Sequence, residues 1–390
     1  MRMGTNSAMK PLGMGSKMKI LHVGKFYPPE NGGIESVTYE CVRGLKALGH
    51  DVDVICTTND KGLVGVESNG RGSIHRCRSY GTLMRASVSP SFVAKLRSMV
   101  SKYDAVSIHM PNPLPLVALS GLKNIPPLFL HWHADVSTYG LGYKVYAAFE
   151  KAMLEKCAAV VVATRGHYDT SPALIPREAK VKVIPYGIDA GKFTSSAEAK
   201  VELPEGLSGK KIVFSLGRFV PYKGFDNLIR AAALLPADYL VVIAGDGPMR
   251  SPYQQMIEEL GLSQKVVLPG RIDNEHLSAY YSACKVFCLP SVTTAEAFGV
   301  VLIEAMSFGK PVISTRLGNG VEWVTGHGET GLTVPVNDPK ALASAVLNLL
   351  DDSETYESFS RRASARFKSE FTTEIMASRL SELYSSAVRQ

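Results

Sequence analysis

The stretch 295–313, AEAFGVVLIEAMSFGKPVI, carries two glutamates, Glu296 and Glu304, with seven residues between them. An apolar strand-like run ends just before it at Pro290 and Ser291, and another begins at Pro311. Between them Val300, Val301, Leu302, Ile303, Ala305 and Met306 form a helix too apolar to face water. Glu296 falls just outside the start of that helix, and Glu304 lies within it. The amides of Ala297, Phe298, Gly299 and Val300 are those that a helix start leaves without intrahelical acceptors, and the helix dipole favours an anion there. Glu304 is five residues past Gly299, or about 7.5 Å along the axis. That is the separation expected between the diphosphate and the ribose of one nucleotide. A carboxylate among apolar neighbours needs a partner, and vicinal ribose hydroxyls would supply one. Glu296 can accept hydrogen bonds from hydroxyls and place negative charge near a developing cation.

The pattern around this stretch is strand, loop, helix, strand, twice over. The first series is 18–23, 51–57, 104–110, 126–133, 158–164 and 180–187, with a helix over 33–50 after its first strand. The second is 211–217, 239–245, 265–270, 285–291 and 311–316, followed by helical sequence over 338–352 and from about Glu354 onward. Near-continuous Val, Ile and Leu runs alternating with helices predict parallel sheets covered on both faces. The fold class is therefore α/β: two facing doubly wound, Rossmann-like domains with a ligand cleft at the C-terminal strand ends.

A chain of 390 residues is too long for one small core and fits two domains. Residues 1–17 read as a disordered leader without the apolar core of a signal peptide. The expected divisions are domains over 18–193 and 211–372, a polar linker over 194–210 and a C-terminal helix over 373–390. No apolar run approaches the 18–20 or so residues that span a bilayer. Six cysteines without a CxxC pair read as reduced, buried thiols of a cytoplasmic protein. Cys284 and Cys288 lack nearby partners for a metal site. The charge is lopsided, with 25 Lys and Arg against 15 Asp and Glu in residues 1–200, but 18 against 21 in the rest. A basic first half suits an anionic partner, and solvated charge explains it equally well.

Three further segments fall where such a cleft needs them. YPPENGGIES (27–36) follows the first strand, and Gly32 and Gly33 let backbone amides approach a phosphate at a helix start. GRFVPYKG (217–224) follows the first strand of the second domain; Arg218 can grip phosphate oxygens bidentately and Lys223 adds a mobile point charge. LHWHADV (130–136) ends a strand, where His133, with Asp135, could touch a sugar hydroxyl and an acceptor. A metal pair of His131 and His133 lacks an evident third ligand.

Taken together, YPPENGGIE, HWHADV, VIPYGID, GRFVPYKG, VVIAGDGP and EAFGVVLIEAMSFGKPVI make residues 18–385 resemble a retaining GT-B glycosyltransferase of family 4. LGNGVEWVTGHGETGLTVPVND resembles the closing segment of its bacterial mannosyl- and rhamnosyltransferases. The resemblance implies an acceptor-side first domain, a nucleotide-sugar-binding second domain, and a last helix packing back on the first. It implies that Gly33, with Gly32, and the helix start at Phe298, Gly299 and Val300 meet the donor diphosphate, which Arg218 and Lys223 neutralise. Glu296 would hold donor-sugar hydroxyls, Glu304 the ribose, and His133 would face the reaction centre. The backbone at Arg271 and Ile272 would receive the base. Lys285 stands where the family commonly has Asp.

No cofactor is implied, because the nucleotide sugar, GDP-linked by this resemblance, is a substrate. No metal is expected either, since the DVD at 51–53 lies inside a strand. The acceptor would be a saccharide or lipid-linked saccharide of a surface glycan. Amphipathic stretches at 84–103 and 139–157 could touch anionic lipid on the inner face of the plasma membrane, or simply pack on the sheet. Nucleic acid is not expected. Competing readings are a GT-B sugar-nucleotide epimerase, which needs no acceptor, and a non-catalytic sugar-nucleotide sensor. An NAD-linked oxidoreductase is disfavoured because AGDGPMRSP lacks the third glycine of the dinucleotide motif.

Overall fold

The computed structural model describes residues 16–30, 32–83, 86–136, 141–193 and 209–389. The leader expected at 1–17 and the linker expected at 194–210 lie, except for the last two residues of each, outside the described residues.

The first half holds β1 (Lys19–Val23), β2 (Asp51–Thr58), β3 (Gly65–Ser68), β4 (Ser73–Arg78), a hairpin of β5 (Thr82–Leu83) and β6 (Ala86–Ser87), β7 (Ala105–Met110), β8 (Leu128–Trp132), β9 (Ala159–Val162) and β10 (Val181–Val183). Its 8-stranded sheet runs β10-β9-β8-β7-β1-β2-β4-β3 and is parallel except for the edge pair β3/β4. The second half holds β11 (Lys211–Leu216), β12 (Tyr239–Ala244), β13 (Val266–Gly270), β14 (Val286–Leu289), β15 (Val312–Thr315) and β16 (Gly331–Val334), as a 6-stranded parallel sheet in the order β13-β12-β11-β14-β15-β16. Both sheets are doubly wound, and each reverses its strand order beside its first strand. Loops at such a switch point diverge and open a crevice at the C-terminal strand ends.

The central strands are buried on both faces, as their uninterrupted apolar runs predict. Strand β3 departs from the expectation of an all-parallel sheet: GVES is exposed throughout and pairs along one side only. A short exposed edge strand has no apolar run to announce it. Strand β16 has four residues, led by Gly331, and was too short to be read from pattern.

The chain closes on itself at its end. Helix Thr373–Val388 crosses to the first half and lies against helix Gly33–Ala47. Thr373 donates to Glu40 at 2.6 Å, His50 shares a bond with Ser381 at 2.8 Å, and the Tyr384 hydroxyl sits 2.9 Å from His131. Met376, Leu380 and Tyr384 are buried with Val37, Cys41 and Leu45 in one cluster that also takes in Phe298 and Leu302. The two halves therefore share a core instead of hinging on a single linker.

Of the two amphipathic stretches, helix Pro90–Met99 turns Phe92, Leu96 and Met99 into the core, and helix Leu141–Lys156 buries Met153 and Leu154. Among the described residues no helix is long and apolar enough to cross a membrane.

Candidate active site between the two sheets

The loop after β11 and the loop after β14 flank the switch point of the second sheet and touch each other. Gly224, at φ +63°, makes this possible: a Cβ there would fall 2.2 Å from the Pro290 carbonyl. Contact between the loops brings the Lys223 ammonium within 2.5 Å of Glu296 Oε2, which also accepts from the Ser291 hydroxyl at 3.1 Å. Both side chains are nearly buried, at 11% and 13% exposure. Asn319 donates to the Glu296 carbonyl at 2.7 Å and fixes the backbone from the far side. The helix starts one residue after Gly299, whose φ of +76° turns the chain into it.

This pair lines a cavity of about 230 Å³ together with Gly33, His133, His167, Tyr186, Phe298 and Gly299. A second cavity of about 600 Å³ continues from it past Gly32, Gly33, Arg43, Tyr186, Lys192 and Glu304. Gly33, Val37, Tyr186, Val300 and Val301 line both, so the two are compartments of one crevice. Nothing lies within 4 Å of where a Cβ at Gly33 would be, so that backbone faces open space. A larger hollow of about 810 Å³ near Leu122, Pro127, Lys156 and Ala387 sits at the N-terminal end of β8, away from the strand ends where α/β sheets bind ligands.

The partner that Glu304 requires is present within the protein. Its carboxylate accepts from Lys192 at 2.8 Å and from the buried Tyr281 hydroxyl at 2.8 Å. Burial, and then the Glu304 charge beside it, pushes the Tyr281 hydroxyl well above its usual range, so it stays a donor. Arg43 bridges Glu40 and Asp189 along the same wall. Glu35 sits in the first turn of helix Gly33–Ala47, and burial raises its carboxyl.

His133 ends a hydrogen-bonded row that its sequence did not reveal. His22 Nδ1 lies 3.0 Å from His109 Nε2, His109 Nδ1 lies 2.9 Å from His133 Nε2, and His133 Nδ1 lies 2.5 Å from the Tyr186 hydroxyl. His22 Nε2 is buried with no partner among the described residues. Burial, then the neighbouring imidazoles, holds His109 and His133 well below their ordinary pKa, so the row is neutral. The row could have been suspected from a histidine at or just past the end of three strands, His22, His109 and His133, but only adjacency of β1, β7 and β8 brings them together.

Other residues singled out by sequence are placed less centrally. Arg218 is exposed on the same loop as Lys223 and lines neither cavity. Arg271 and Ile272 follow β13, outside both linings, and Ile272 packs against the core. Asp135 is held by Trp132 at 2.9 Å and Ser171 at 2.7 Å, as a buttress of the strand end. His131 hydrogen-bonds to Tyr384. Asp53 in the DVD stretch accepts from Tyr103 at 2.6 Å, and Lys285 lies over the Tyr356 ring. Among the described residues no group of three His, Cys, Asp or Glu is arranged to hold a metal ion.

Two doubly wound domains facing each other across such a crevice define the GT-B architecture of nucleotide-sugar-dependent transferases. The chain belongs to the glycosyltransferases: "Glycosyl transferases group 1" matches residues 200–366 and "Glycosyltransferase Family 4" matches residues 31–192. It is 31% identical over 358 residues to the D-rhamnosyltransferase WbpZ of Pseudomonas aeruginosa, covering 91% of this chain and 92% of that one. It is 27% identical over 376 residues to the O-antigen chain mannosyltransferase C of Escherichia coli, covering 94% and 98%. The fold superposes on the crystal structure of HepE from Anabaena in complex with UDP and glucose, with a TM-score of 0.75, 21% identity, and coverage of 95% and 100%.

Proposed function

We propose that this glycosyltransferase moves a hexose or deoxyhexose of mannose type from a nucleoside-diphosphate sugar, GDP-linked, to a saccharide or lipid-linked saccharide in surface glycan synthesis. The reaction retains anomeric configuration and needs no metal. The observation that carries this reading is the pairing of Lys223 with Glu296 at the switch point, beside the helix start at Gly299. Similarity to a rhamnosyltransferase and to an O-antigen mannosyltransferase supports the sugar class.

Breaking the bond between the sugar C1 and the phosphate oxygen builds negative charge on the leaving diphosphate and oxocarbenium character on the sugar. Lys223, Arg218 and the amides of Phe298, Gly299 and Val300 oppose the first charge, as preorganised donors do in other transferases. Glu296 opposes the second and holds the sugar hydroxyls. The acceptor oxygen forms its bond to C1 on the face the phosphate leaves, and its proton passes to a departing phosphate oxygen. His133 and Tyr186 line that compartment from the first domain. Glu304 exchanges Lys192 for the ribose hydroxyls, and the chain after β13 at Arg271 and Ile272 takes the base.

The test is incubation of the purified protein with radiolabelled GDP-mannose, and separately UDP-glucose, plus lipid-linked saccharide acceptors. Label is expected in the acceptor with wild type and absent with Glu296→Ala or Lys223→Ala. Wild-type turnover by either variant, or conversion of the donor without acceptor, would overturn the reading.

A further inference from the structure

His167 was not expected from sequence to belong to the site, yet it lines the small compartment with Lys223, Glu296 and His133. It is 7% exposed, and its Nε2 is buried with no hydrogen-bond partner among the described residues. Its other ring nitrogen, Nδ1, lies 2.8 Å from the Thr164 hydroxyl. The direction of that bond follows from counting unpaired groups. Were the ring to donate, the fully buried Thr164 hydroxyl proton and the Nε2 lone pair would both be left over. With Thr164 donating, only one group remains unmatched, the Nε2–H of a ring that lines the compartment.

The placement is built from both domains. His167 is carried by the turn after β9, which docks on the Asn319–Gly320 backbone of the second half. Cβ atoms at Gly166 and Gly320 would fall 2.7 Å from the Gly320 amide nitrogen and 2.4 Å from the Thr164 hydroxyl, respectively. Asn319 in turn holds the Glu296 carbonyl. The imidazole is thus fixed relative to the carboxylate expected to grip the sugar. It is also neutral near pH 7, because burial pushes it down to about 4. An uncharged N–H suits a hydroxyl oxygen better than a phosphate, which Lys223 already serves.

We propose that His167 is a further ligand-contacting residue whose Nε2–H donates to a hydroxyl oxygen of the sugar being transferred. The inference rests on the reading of the crevice as a nucleotide-sugar site, and assigns His167 to the sugar and not to the nucleotide.

Calorimetric titration with GDP and GDP-mannose, and with UDP and UDP-glucose, separates the two claims. Wild type is expected to bind one nucleotide sugar more tightly than its bare nucleoside diphosphate. His167→Leu is expected to weaken that nucleotide sugar about tenfold, the worth of one buried hydrogen bond, while the bare diphosphate binds within twofold of wild type. His167→Gln, which keeps an N–H at similar reach, is expected to recover most of the loss. If wild type binds none of the four ligands, the site reading and this inference both fall. If wild type binds a nucleotide sugar and His167→Leu weakens neither ligand, or both equally, the sugar contact alone is overturned. Retained affinity for the bare diphosphate also reports that the variant has folded.

Discussion

Lys192, at the end of the first domain, places its ammonium 2.8 Å from Glu304 Oε1 on the helix that opens the second domain's site. The carboxylate expected to hold a ribose is therefore bound by a cation from the facing domain, with Tyr281 on its other oxygen. Glu304→Ala is expected to weaken nucleoside-diphosphate binding by tenfold or more and leave the protein folded, since the site borders a cavity. Calorimetry with GDP and UDP checks this; equal affinity in wild type and variant would show that Glu304 is only a structural partner of Lys192.

Stability and chemistry separate at Lys223. Removing one member of a nearly buried ion pair strands the other charge, at a cost of about 3 kcal/mol. Lys223→Met is therefore expected to lower the urea midpoint clearly, and the Lys223→Met/Glu296→Gln double variant to regain part of it. Transfer activity is expected to stay lost in both. A double variant as unstable as the single one would mean that the loss came from packing and not from the stranded Glu296 carboxylate.

Packing of the last helix has a sharp test at Gly44. A Cβ there would lie 2.7 Å from both the Ala377 Cβ and the Thr373 Cγ2. Ala is the better helix former by about 1 kcal/mol, so propensity alone predicts that Gly44→Ala stabilises. Overpacking of the rigid contact, at about 1–3 kcal/mol, predicts the reverse. Chemical denaturation is expected to show a net loss; a gain would mean that the helices separate without penalty.

Acid should unfold the protein early. His22, His109, His131, His133 and His167 are all buried and all pushed below their ordinary range by burial, His131 to about 3 and His167 to about 4. In the unfolded chain each titrates near 6.5. Below that value the unfolded state binds protons that the folded state refuses, so stability falls as pH drops from about 6.5 toward 4. Each imidazole costs about 1 kcal/mol per pH unit in that window. Melting temperatures at pH 7.5, 6 and 5 are expected to be lowest at pH 5; a flat profile would mean the histidines are hydrated.

The sheets and the loop positions were legible because buried parallel strands are written as unbroken apolar runs, and β7, β8, β12 and β14 fall where those runs lie. The segment around Glu296 and Glu304 was legible because a carboxylate in an apolar helix is chemically conspicuous. What sequence could not supply was pairing at a distance. The partners of Glu304 come from 112 and 23 residues away, and the partner of Lys223 from 73. The histidine row needs β1, β7 and β8 side by side, an order that local pattern does not encode. His167 carried no signal at all, because its role depends on an unpaired nitrogen visible only once its neighbours are in place.

The central claim is that a diphosphate lodges where Lys223 meets the helix start at Gly299. Phosphorus-31 NMR of GDP-mannose and of UDP-glucose, titrated with protein, reads those phosphates directly. Wild type is expected to shift and broaden both diphosphate resonances of one donor, and Lys223→Met to leave them at their free positions. Free-ligand resonances of both donors with wild type, or identical shifts with Lys223→Met, would contradict the account.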